Sequence, residues 1–165
     1  MRANRNKSWS RFIAIQVLFQ VEFNEKMKIE VLDGKDEKKI KSIIKNMHDI
    51  NKNLSEFKDI KYNAEFEWLI NLLQNVISNK KDIDEKLSKK FVKEWSLKRM
   101  DSILLNILRS GFIEFSRNEK VPAKVIINEY TNIASSFFSN SEVNFVNGIL
   151  DVLAKEFRPT EFKKQ

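Results

Sequence analysis

The chain has 165 residues, with 30 Lys and Arg against 23 Asp and Glu, three Gly, two Pro, one His and no Cys. That length suits one domain able to bury a sizeable core without a covalent staple, and the missing cysteines exclude disulfides, thiolate metal sites and cysteine nucleophiles. The net charge of +7 is clustered: residues 1–11 hold Arg2, Arg5, Lys7 and Arg11 with no acid, and residues 80–99 hold eight bases against four acids. Clustered basic charge favours a polyanion as partner, nucleic acid foremost.

Helical spacing of apolar residues runs through almost the whole chain, and period-2 alternation is rare, so the expected fold class is all-α. A first helix is expected from about Ser8 to Phe23, with Trp9, Phe12, Ile13, Gln16, Val17 and Gln20 in phase. It is apolar over most of its circumference, as befits a central helix. Residues 24–35 read as a connection, with Asp33-Gly34 as its turn signal. A second helix spans about Asp36 to Phe57, with His48 beside its apolar stripe as a surface or boundary residue. A third runs from about Asn63 to Ser78, and a fourth starts near Lys81 with Asp82, Asp84 and Glu85 suiting its dipole.

Trp95-Ser96-Leu97 reads as a connector. The fifth helix covers about Lys98 to Phe115, with Asp101 starting it or pairing locally. Pro122 stands at the first position of a sixth helix that runs to about Phe138. Ser139 and Glu142 have the spacing of a capping box. The seventh helix then continues to Phe157, where Arg158-Pro159 stops it. Asn147-Gly148 reads as a point of close helix packing. The whole chain, 1–165, is expected to form one helical domain, with residues 1–7 as a basic arm and 160–165 frayed.

No run reaches the roughly 18 uncharged apolar residues of a membrane span, and no signal peptide is read, so a soluble, cytoplasmic protein is expected. There is no Gly-rich phosphate loop, no GxSxG and no histidine metal pair, so neither enzyme nor cofactor is expected. The best chemical signal is the N-terminal segment, where Arg5, Lys7 and Arg11 can neutralise phosphates. Trp9 has two readings: a base-stacking platform, or a core anchor in phase with Phe12 and Ile13.

Three segments carry a more specific spelling: Trp95-Ser-Leu-x-Arg-Met-Asp101 continuing into Ile107-Leu-Arg109 and Glu114; Val121-Pro-x-Lys-Val-x-Ile-Asn-Glu129; and Phe145-Val-Asn-Gly-Ile-Leu-Asp151. Together with Arg11-x-x-Ala14-x-Gln16-x-Leu18-Phe19, they resemble the NusB family of bacterial transcription antitermination factors. The resemblance implies about seven helices in two packed helical subdomains, and no catalysis. It implies binding to the boxA element of nascent ribosomal RNA leaders together with NusE, a small-subunit ribosomal protein, in an antitermination complex of RNA polymerase with other Nus factors. Some family members form homodimers, so a protein-interaction module with weak RNA binding is the alternative.

Carried over by position, the family's basic N-terminal stretch falls on Lys7 to Arg11, here interrupted by Ser8, Trp9 and Ser10. The second RNA-contacting region falls on Phe137, Ser141, Asn144 and Phe145, with Asn144 where a Lys is common; Phe137 and Phe145 also sit on apolar helix stripes, so core packing is the other reading of both. The NusE-facing residues fall on Phe19, Arg109 and Glu114, with Phe19 where a Tyr is common. Glu114 and Arg109 lie about 140° apart around an ideal helix, which leaves both available for outside contacts.

Overall fold

The computed structural model describes residues 2–51, 65–92, 94–117 and 120–163. These residues hold eight α-helices and no strand. The chain divides into two units, Met1–Ser78 and Asn79–Gln165. Among the described residues, no helix is long and apolar enough to cross a membrane.

The first unit is built around α1 (Arg2–Phe23), which touches α2 (Glu25–Asp33), α3 (Glu37–Asn51) and α4 (Phe66–Ser78). Every residue from Trp9 to Leu18 is buried except Gln16, so a helix apolar nearly all round sits among several neighbours. The helix begins at Arg2, so residues 2–7, read as an arm, are its first turns. On α3, Asn51 donates from Nδ2 to the Gln16 side chain and to the Met47 carbonyl, both at 2.7 Å. The expected end of the second helix, 52–57, and the expected start of the third, 63–64, lie outside the described residues, as does the side chain of His48.

Residues 24–35 are not a simple connection. They form α2, opened by Asn24, whose side chain accepts from the Met27 amide at 3.0 Å. Met27 and Val31, one turn apart, are its buried face. Ile29 and Leu32 are exposed and blur the period. The helix ends at Gly34, with φ 64°, whose amide donates to the Glu30 carbonyl. Gln74 of α4 donates to the carbonyl of Val31 at 3.1 Å, satisfying one of the last orphan acceptors.

The second unit contains α5 (Lys80–Ser88), α6 (Ser102–Arg117), α7 (Ala123–Ser135) and α8 (Asn140–Phe157). A 3-10 turn at Leu97–Arg99 precedes α6, which starts later than Lys98 because the Asp101 carboxylate accepts from the Ile103 amide at 2.8 Å. α6 is buried continuously from Leu104 to Phe115 and touches α5, α7 and α8. A Cβ on its Gly111 would meet Leu150 Cδ2 at 2.5 Å and Tyr130 at 3.6 Å, so this glycine is the close-packing point. Gly148, expected in that role, meets nothing described within 4 Å.

Pro122 stands one residue earlier than expected: its ψ of 141° makes it the cap rather than the first helical residue. Ser139 caps α8 by position, but its hydroxyl makes no bond to the helix backbone. It donates instead to Glu142 Oε2 at 2.6 Å, so the expected box is only half formed. The C-terminal segment is ordered by Arg158. Its buried guanidinium donates to the carbonyls of Glu114 (3.0 Å) and Phe115 (3.3 Å) in the last turn of α6, to Val121, and to Glu161. Glu161 in turn accepts from the Ala123 amide at the start of α7, at 2.7 Å. A 3-10 turn over Pro159–Phe162 therefore stands where fraying was expected.

Candidate functional site

In the first unit, the N-terminal candidates separate. Arg5 lies within α1, and its side chain lies outside the described residues. Lys7 is half-buried, with Nζ 3.8 Å from Glu65. Trp9 is 1% exposed and stacks on Phe12, with centroids 5.8 Å apart. It therefore offers no face to a base, and its stacking role is corrected to that of a core anchor. Arg11 is also 1% exposed, its guanidinium 5.3 Å from the Trp68 ring centroid. A charge held over an indole inside the unit is a packing element, so Arg11 is not the surface phosphate ligand expected from the charge pattern.

The second set of candidates surrounds the turn between α7 and α8. Phe137 lies just beyond α7 and is 36% exposed, with its ring 6.3 Å from that of Phe138. Ser141 and Asn144, in the first turns of α8, are exposed. Phe145 is half-buried, stacked on Trp95 with centroids 4.0 Å apart and planes at 11°, and tilted against Phe91 at 5.5 Å. Trp95 and Phe91 thus belong to the same aromatic cluster; the sequence reading left Trp95 in a connector. The signal that could have found Trp95 is a large aromatic in a basic stretch with no helical period to explain it. Glu142 is held below the usual carboxylate range, mainly by the Ser139 hydroxyl and then by its own amide. It is the acid in the first turn of α8, where the helix dipole also favours negative charge.

Among the expected partner-facing residues, Phe19 is exposed on α1 and its ring lies 5.2 Å from that of Phe23, which is also exposed. Phe23 extends the apolar face one turn further, a neighbour readable from the i, i+4 spacing. Arg109 is not available to a partner. It is buried, with Nε and Nη2 on the two oxygens of Asp84 at 2.7 and 2.8 Å, and Nη1 on Asn106 at 2.9 Å. This fork-to-fork pair fastens α5 to α6, so Asp84 is more than an acid suiting a helix start. Glu114 is 2% exposed, which removes it from any solvated rim. Both expectations of outward-facing charge fail because α6 is buried nearly all round, so no angular position on it faces solvent between Leu104 and Phe115.

Comparison with known proteins agrees with this architecture. The family model described as the NusB family matches residues 8–155. The transcription antitermination protein NusB of Bartonella quintana is 41% identical over 95 residues, which is 58% of this chain and 61% of that protein. Over that stretch the chain spans about three fifths of the relative's length. The NusB protein of Novosphingobium aromaticivorans is 28% identical over 157 residues, covering 94% of this chain and 97% of its own. A solved structure of NusB from T. maritima superposes with a TM-score of 0.68 at 25% identity, covering 94% of this chain and 95% of that one. With an all-helical fold and a family match over most of its length, the chain belongs to the NusB family.

Proposed function

We propose that this protein is an RNA-binding transcription antitermination factor. It binds boxA of nascent ribosomal RNA leader transcripts together with NusE, and helps RNA polymerase, with other Nus factors, to pass sites of premature termination. The observation that supports the reading is the exposure of Phe137, Ser141 and Asn144 around the α7–α8 turn, the positions onto which the resemblance carries the family's RNA-contacting region. Exposed rings with short polar side chains suit single-stranded RNA, whose bases splay out and stack. The exposed Phe19 and Phe23 pair supplies apolar area for NusE on α1. Arg109 acts from within by fastening α5 to α6.

A second reading, a protein-interaction module working mainly as a homodimer with weak RNA binding, is favoured by one observation. With Arg11 and Trp9 turned inward, the N-terminal stretch offers less to a phosphate backbone than its composition promises. A gel-shift titration with boxA-like RNA, with and without NusE, separates the two readings. The first requires a salt-sensitive shift that tightens with NusE. The absence of a shift under both conditions, with a dimer on gel filtration, supports the second.

A further inference from the structure

Beside the α7–α8 corner lies a surface cleft lined by Glu94, Trp95, Ser96, Arg99, Met100 and Ser141. Phe145 does not line it. Phe145 stands behind Trp95, its ring covering one indole face at 4.0 Å and nearly parallel, and Phe91 backs Phe145 in turn. Two stacked rings with Phe91 tilted against the second form an aromatic cluster, of which Trp95 lines the cleft. Two backbone hydrogen bonds flank it. The Trp95 amide donates to the Val92 carbonyl at 3.0 Å, and the Arg99 amide to the Ser96 carbonyl at 3.1 Å. The exposed Arg99 side chain is steered by Ser96, whose Oγ accepts from Nε at 3.4 Å.

We propose that this cleft is a subsite for one nucleotide of single-stranded RNA, with the base against the Trp95 indole and a flanking phosphate on Arg99. It deepens the RNA-binding reading above and rests on it. A ring held by a second ring loses little freedom when a base stacks on it, and every base has a π-face to offer. Arg99 supplies a planar cation suited to phosphate oxygens, in the segment where eight bases stand against four acids. The hydroxyls of Ser96 and Ser141 can meet polar edges of the base. Glu94, the acid of the cleft, repels a phosphate from its own side and can accept from an exocyclic amine. Phe145 is then a positioning residue, acting through Trp95.

The test uses the full chain and a short single-stranded boxA-like RNA, with anisotropy of labelled RNA for affinity and intrinsic tryptophan fluorescence for stacking. In the wild type, RNA quenches tryptophan emission. Trp95→Ala weakens binding by about 5- to 150-fold, the range of one lost base stack. Trp95→Phe keeps most of the affinity but loses the quench, an outcome that a purely structural Trp95 would not give. Arg99→Gln lowers the salt slope of log affinity by about 0.7, as for one lost phosphate contact on a single strand. If the wild type binds RNA while Trp95→Phe leaves the quench intact and Arg99→Gln leaves the slope unchanged, the subsite is wrong but RNA binding stands. If the wild type binds no RNA, both readings fall. Quenching that appears only with NusE present and no RNA makes the cleft a protein-docking site, and also overturns the proposal.

Discussion

The N-terminal stretch and the α7–α8 corner both contain aromatic residues near polar or basic ones, yet they put them to opposite uses. Trp9 sits in the third turn of a helix that already runs from Arg2, so its ring enters the core beside Phe12. Phe137 stands two residues past the end of α7, where no helical period assigns it an inner face, and its ring remains partly exposed. Trp95 is likewise outside any helix and reaches a cleft. Trp9, in phase with Phe12 and Ile13, packs inside, whereas Phe137 and Trp95, outside the helices, keep part of their surface exposed.

The largest effect that could break this contrast is on stability. Trp9→Ala should destabilise the protein by about 3–5 kcal/mol, as for a large core side chain. Phe137→Ala should cost less than about 1 kcal/mol, yet weaken RNA binding. Urea denaturation of both variants, with RNA titration of Phe137→Ala, checks the pair. Equal stability losses would erase the distinction between anchor and contact.

Next in size is a pair of glycines. Gly111→Ala drives a methyl into Leu150 and should destabilise by about 1–3 kcal/mol, unless Leu150 changes rotamer. Gly148→Ala meets open space in the middle of α8 and should stabilise by about 0.5–1 kcal/mol. Thermal unfolding of the two variants should move in opposite directions. A loss at Gly148 would restore it as a packing point.

These residues also show what the sequence made legible. Helix order, the central character of α1 and the stop at Arg158-Pro159 follow from periodicity and breakers alone. α2 was hidden because it buries only Met27 and Val31, too few to register a period, and its one clear signal is the Asn24 cap. The burial of Arg11, Arg109 and Arg158 was not legible, since a charge reads as solvated until its partner is known. Those partners are Trp68, Asp84 with Asn106, and a set of carbonyls between 37 and 44 residues away in the chain. The Trp95–Phe145 stack joins two segments 50 residues apart in sequence and was hidden for the same reason.

The smallest expected effect concerns Glu142. Its carboxyl is held below the ordinary range in the folded state, so its contribution is full above the pKa of an unfolded glutamate. It is lost as pH falls through the lowered folded value. Glu142→Gln should therefore be slightly less stable than wild type near neutrality, and the gap should close in the acid range. A gap that stays constant across that range would show that the Ser139 hydroxyl does not favour the charged form. Ser139→Ala should remove most of the same pH dependence, with a stability change within the ordinary surface range of about 0.5 kcal/mol.

Hydrogen exchange of the full chain with and without boxA-like RNA most directly tests whether the corner is where RNA is held. Binding through the corner predicts protection concentrated at residues 94–99 and 137–145, with little change in the buried stretch from Trp9 to Leu18. Protection confined to the exposed Phe19–Phe23 end of α1, or no protection at saturating RNA, would contradict it.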